Sequence, residues 1–205
     1  MKTLIYGGSF DPIHYGHLIT AMEVAEKGEY DRIVFVPSAL STHKNGKTSL
    51  GHRLHMCQKA VEDIPAFVVS DIEGEMAKQG IPSYSANVAV ALSELGYADG
   101  NNKIHWLIGS DNVGKVASWR NQTVLKALVH FIVVRRDGQF YDRSLFETNG
   151  LSYEGYATTG MGISSSLVRS RVEAGRSVAF YVPPAIDSYI KVTKLYLNKL
   201  EWARP

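Results

Sequence analysis

The stretch Thr3-Leu4-Ile5-Tyr6-Gly7-Gly8-Ser9-Phe10-Asp11-Pro12-Ile13-His14-Tyr15-Gly16-His17 is the densest feature of the sequence. A short apolar run leads straight into two glycines, after which Leu18, Ala21, Met22 and Ala25 recur at helical spacing and stop near Gly28. That reads as strand, glycine turn and helix, with the helix beginning around Gly16 or His17. Glycines after a strand let a ligand approach the backbone closely, and the N–H groups and positive end of the following helix attract phosphate. In an open parallel sheet, ligands sit at the carboxyl ends of the strands.

The same alternation continues outward. Residues 32–37 read as a buried strand, followed by a polar loop through Lys47 and a helix from Gly51 to about Glu62. Strands are expected at 67–70, 105–108 and 131–134, and helices at 83–95 and 124–128. Residues 137–160 lack periodicity and read as loop, with a short strand near Tyr153. Beyond Ile163 a serine triplet opens a helical segment closed by Gly175, and Pro183-Pro184 introduces a last helix. Strands alternating with crossover helices predict an α/β fold, an open parallel sheet with helices on both faces. A length of 205 residues predicts a single domain over 1–205 with a small C-terminal helical segment.

Composition narrows the function classes. Lys and Arg number 22 against 20 Asp and Glu, and this near-balance of +2 argues against a broad nucleic-acid surface. A 45% hydrophobic and 20% charged composition fits a folded domain, and no apolar run approaches the roughly 20 residues of a membrane span. The N-terminus lacks a secretory pattern and the one cysteine, Cys57, has no disulfide partner, so a cytoplasmic protein is expected. Cys57 shares a helical face with Leu54 and Val61 and reads as buried and inert rather than as a nucleophile.

His14 and His17 stand three apart at a helix start, where both can face one anion and donate N–H bonds to phosphate oxygens. Capping is the structural alternative. Two histidines are an incomplete zinc site, and the nearby Asp11 does not clearly complete it. The run is neither a G-x-x-x-x-G-K-[ST] nor a G-x-G-x-x-G phosphate loop.

Gly8-Ser9-Phe10-Asp11-Pro12 with His14-Tyr15-Gly16-His17 resembles the H-x-G-H motif of the nucleotidyltransferase superfamily, and Ile163 to Arg169 resembles its I-S-S-T-x-x-R motif. The segments Thr42-His43-Lys44, Arg53 with Met56, Ser83-Tyr84-Ser85, Ile108 to Asp111, Trp119 and Val134 to Gly138 resemble one branch, the bacterial nicotinate mononucleotide adenylyltransferases. The resemblance implies a Rossmann-like fold and adenylyl transfer from ATP to nicotinate mononucleotide with Mg2+, releasing pyrophosphate. Relatives using nicotinamide mononucleotide or another phosphate acceptor, and a silent nucleotide-binding module, are the alternatives. No nucleic-acid or membrane partner is expected, and a homo-oligomer is compatible with the chain.

By the same resemblance His14, His17, Lys44 and Arg169 carry catalysis. Gly8, Ser9, Phe10, His14, His17, Gly109, Asp111, Ile163, Ser164, Ser165 and Arg169 bind ATP, while Lys44, Ser83, Tyr84, Ser85, Trp119 and Arg136 take the acceptor. No side chain is assigned to a metal, because ATP phosphates and water can supply magnesium's oxygens. Read without the resemblance, Ser164 is a helix cap, Arg169 and Lys44 are solvated cations and Trp119 is core. The chain departs from the family pattern at Ser41-Thr42, which replace a proline pair, at Ser85 for threonine, and at Asp137 for proline, which leaves Arg135 competing with Arg136.

Overall fold

The computed structural model describes residues 1–39, 48–136 and 141–197. Six strands, β1 (Thr3–Gly8), β2 (Arg32–Pro37), β3 (Phe67–Val69), β4 (Ile104–Gly109), β5 (Val129–Arg136) and β6 (Ser152–Thr158), form one parallel sheet in the order β3-β2-β1-β4-β5-β6. The chain winds outward from β1 through β2 and β3, then crosses back to place β4 on the other side of β1. The crevice between the ends of β1 and β4 is therefore the switch point of the sheet, where such folds bind ligands.

Period-two alternation divides the sheet's side chains into two cores. Leu4, Ile33, Phe35, Leu107, Ile132 and Val134 face one side, and Ile5, Val34, Val36, Trp106, Phe131 and Val133 face the other. The first side is covered by α1 (Tyr15–Lys27), α2 (Leu50–Val61), α8 (Ser165–Glu173) and α9 (Pro184–Thr193). The second is covered by α3 (Ile72–Lys78), α4 (Ser85–Glu94), α5 (Val113–Val116), α6 (Gln122–Leu128) and α7 (Ser144–Thr148). Val168, Val178, Val182, Ile186 and Ile190 pack into the same cluster as Leu4 and Phe35, so the chain after Ile163 completes the first core.

Three local readings change. The region read mainly as loop supplies α7, and the short strand expected near Tyr153 is the seven-residue β6, an edge strand whose exposed Ser152, Glu154 and Gly155 hide its alternation. The short helix α3 between β3 and α4 carried too little apolar sequence to stand out. On α2 the inward residues are Arg53, Met56, Cys57 and Val61, with Leu54 half-buried. Cys57 is buried as expected, and burial pushes its thiol well above the ordinary range. No helix among the described residues is long and apolar enough to cross a membrane.

Candidate active site

The loop between β1 and α1 is gripped through its carbonyls. Arg53 Nη1 donates to Ser9 O at 2.8 Å, Arg169 Nη1 to Asp11 O at 2.6 Å, and Ser165 Oγ to Pro12 O at 2.9 Å. In a planar trans peptide the N–H points opposite to the C=O, so holding the carbonyls of Ser9 and Pro12 also aims the N–H groups of Phe10 and Ile13. Two guanidinium groups and the N-terminus of α1 give this loop a positive surround. The two motifs, far apart in the chain, are thus joined by direct bonds.

Phe10 adopts a left-handed φ of 46° and turns its ring into the core. There it meets Tyr6 at 5.3 Å and the edge of His17 at 5.0 Å. His17 is further fixed by stacking on His14 at 3.7 Å between centroids, and its Nδ1 accepts the His14 main-chain N–H at 3.3 Å. An accepting Nδ1 leaves the proton of the neutral ring on Nε2, so His17 stands as an Nε2 donor. His14 is the residue that caps α1, so the capping alternative is part of how the pair is built. Gly16 makes the stack fit: a Cβ there would lie 3.0 Å from His14 Nδ1 and 3.5 Å from Ile163 O.

At the start of α8, Ser164 Oγ accepts from Leu167 N at 3.1 Å, the cap that serine at this position supplies. Arg169 is no solvated cation. Besides Asp11 O it donates to Ser166 Oγ at 3.2 Å. Across the crevice, β4 ends at Gly109 and a 3-10 turn over Ser110–Asn112 presents the exposed Asp111. A Cβ on Gly109 would collide with the Asp111 carboxylate.

The segments assigned to the acceptor meet on the other face of the sheet. Tyr84 caps α4, Ser85 is its first residue, and the Arg120 guanidinium lies 4.5 Å over the Tyr84 ring. Trp119 is half-buried, edge-on to Phe131 at 6.0 Å, with its carbonyl held by Gln122 Nε2 at 2.9 Å. Ser83 bonds to the buried Glu73, which also bonds Ser38 and accepts Ala39 N–H at 2.8 Å. Burial raises the Glu73 pKa, an effect partly offset by these bonds and by the charge of Arg53. Glu73 therefore fastens the exit of β2 to the acceptor segment.

Lys44 lies outside the described residues, and Arg136 is described only in its backbone, as the last residue of β5. Arg135 beside it is exposed. Arg53, one of the residues that carry the branch resemblance, had no site role assigned from the sequence, and Glu73 was not singled out there. The signal for Arg53 was present, since a charged residue three and four positions before Met56 and Cys57 shares their buried face.

Residues 5–171 match the model of the cytidylyltransferase-like family. The chain belongs to that family. Within it, the chain is 34% identical over 218 residues to a probable nicotinate-nucleotide adenylyltransferase of Geotalea uraniireducens (strain Rf4), covering 96% of this chain and 98% of the relative. The probable nicotinate-nucleotide adenylyltransferase of Dehalococcoides mccartyi (strain CBDB1) is 35% identical over 206 residues, covering 97% and 98%. The fold matches Plasmodium falciparum nicotinic acid mononucleotide adenylyltransferase complexed with NaAD, at a TM-score of 0.76 and 22% identity over 95% of this chain and 96% of that one. The two relatives at 34% and 35% identity place the cytidylyltransferase-like chain in the nicotinate-nucleotide adenylyltransferase branch.

Proposed function

We propose that the protein transfers the adenylyl group of ATP to nicotinate mononucleotide, forming nicotinate adenine dinucleotide and pyrophosphate in NAD biosynthesis. The observation that carries this reading is the bonding of the second motif to the first through Arg169 and Ser165, which gathers phosphate donors on one loop. An oxygen of the acceptor phosphate attacks the α-phosphorus in line, the bond to the β-phosphate oxygen breaks, and pyrophosphate leaves. No protein nucleophile is needed, so positioning and charge stabilisation carry the rate.

In this reading His14 and His17 face the ATP phosphates, and His17 Nε2–H stabilises the charge that develops during transfer. Gly8, Ser9 and Phe10 offer main-chain contacts to the nucleotide, and Gly109 and Asp111 border it across the crevice. The Ser165 hydroxyl hydrogen is committed to Pro12 O, so Ile163, Ser164 and Ser165 serve the β- and γ-phosphates chiefly through amides at the start of α8. Arg169 adds a fixed cation. Lys44 is assigned to the phosphates or the acceptor, Trp119 stacks the pyridine ring, and Ser83, Tyr84, Ser85 and Arg136 receive the rest of the acceptor.

Among the described residues no group of three His, Cys, Asp or Glu side chains is arranged to hold a metal ion. Mg2+ would be carried by the triphosphate and water, where it would neutralise phosphate charge. The substrates and the single buried Cys57 fit a cytoplasmic setting. Pyrophosphate release from ATP with nicotinate mononucleotide tests the reading.

A further inference from the structure

Helix α9 ends at Thr193, and the chain turns back through two left-handed residues, Lys194 at φ 55° and Tyr196 at φ 65°. The turn is closed by Leu195 N–H on Ile190 O at 3.1 Å. It delivers the Tyr196 hydroxyl to Asp11 Oδ1 at 2.8 Å, in the loop between the glycines and the histidines.

Asp11 is 1% exposed, and its other oxygen, Oδ2, has no hydrogen-bond partner among the described residues. A buried carboxyl beside a site for two polyanions needs a donor of its own. Tyr196 is that donor. Burial first, then the charge of Asp11, hold its hydroxyl far above the ordinary phenol range, so it keeps its proton. Tyr196 also bonds the Thr48 side chain, while Thr48 O accepts Arg53 Nε at 3.1 Å. The main chain of Asp11 is held by Arg169, and that of Ser9 by Arg53. One hydroxyl thus links both guanidinium grips on the loop.

We propose that Tyr196 is a positioning residue for adenylyl transfer, acting through Asp11 to hold the loop that carries His14 and His17, so that the turn at 194–196 is a third part of the nucleotide site. This rests on the reading of that loop as the ATP site.

The test compares Tyr196→Phe, Asp11→Asn and the double variant in ATP affinity by calorimetry, in kcat and both KM values, and in thermal midpoint. Tyr196→Phe keeps the ring and fills the same space. Loss of one hydrogen bond to a carboxyl is expected to weaken ATP binding or kcat about tenfold, with the acceptor KM unchanged. In the Asp11→Asn background the same substitution is expected to add little. ATP affinity and kcat of folded Tyr196→Phe equal to wild type would overturn the proposal, as would independent, multiplying effects of the two substitutions. If Asp11→Asn does not fold, the ATP affinity of Tyr196→Phe alone decides. Wild-type protein that binds ATP but transfers nothing to nicotinate mononucleotide would defeat the functional reading, and the ATP affinities would still judge Tyr196.

Discussion

The main-chain N–H of His14 donates to Nδ1 of His17 at 3.3 Å while the two rings stack at 3.7 Å. This pairing sets the tautomer of His17 and, with Phe10 and Tyr6 edge-on at 5.0 and 6.0 Å, its orientation. A donor delivered this way costs little reorganisation when charge develops on the phosphates. His17→Ala is expected to lower kcat by about 10²–10³-fold, the scale of an oriented oxyanion donor. ATP affinity by calorimetry should change far less. An unchanged rate would remove His17 from the mechanism.

Gly16 is the hinge of the same pair, since a Cβ would press on the His14 ring at 3.0 Å. Gly16→Ala should displace that ring and cost about tenfold or more in kcat/KM, with overpacking worth about 1–3 kcal/mol. Gly51→Ala is the control, because its nearest neighbour is Ser49 Oγ at 4.0 Å and it sits in a helix. That control should retain activity and gain slightly in thermal midpoint. Equal kinetics for the two variants would show that the stack tolerates a side chain.

Glu73 gives the fold a pH dependence of known sign. Its pKa is raised in the folded protein, chiefly by burial, so ionising it costs more folded than unfolded. The stability it contributes is present below the ordinary glutamate range and is lost as pH rises through the folded pKa. Glu73→Gln removes that loss, so the thermal midpoint of the variant minus that of wild type should increase as pH rises from about 4 to 7. A difference that stays flat, or falls with pH, would mean that burial is not the controlling effect.

Trp119 lies edge-on to Phe131 at 6.0 Å and remains half-exposed. Trp119→Ala should raise the acceptor KM about tenfold through loss of stacking, while the KM for ATP stays within about twofold. An unaltered acceptor KM would count against the indole as the platform for the pyridine ring.

The parallel sheet was legible because β1, β2, β4 and β5 are buried on both faces and write unbroken apolar runs, such as Ile33-Val34-Phe35-Val36. Strand β6 was legible only as a short strand near Tyr153 and not in its full extent, because its exposed residues at the sheet edge answer to solvent instead of to a core. The phosphate loop was legible from its glycine and histidine spacing. What the spacing could not reveal was the use of Phe10, whose ring orients His17, or of Arg169 and Ser165, whose donors hold the loop carbonyls. Glu73 and Tyr196 reach the site from separate elements, and such contacts leave no local pattern in the chain, whereas Arg53 shows only as a charge on the buried face of α2. Only the folded sheet and its covering helices bring them together.

The identity of the acceptor decides the function, and it is measured by incubating a panel of phosphate acceptors with ATP and Mg2+ and scoring pyrophosphate release. Nicotinate mononucleotide is expected to give the highest kcat/KM, with nicotinate adenine dinucleotide as the matching product, and nicotinamide mononucleotide a lower value. Equal or faster turnover of the nicotinamide form, or turnover confined to an unrelated acceptor, would exclude nicotinate mononucleotide as the preferred acceptor.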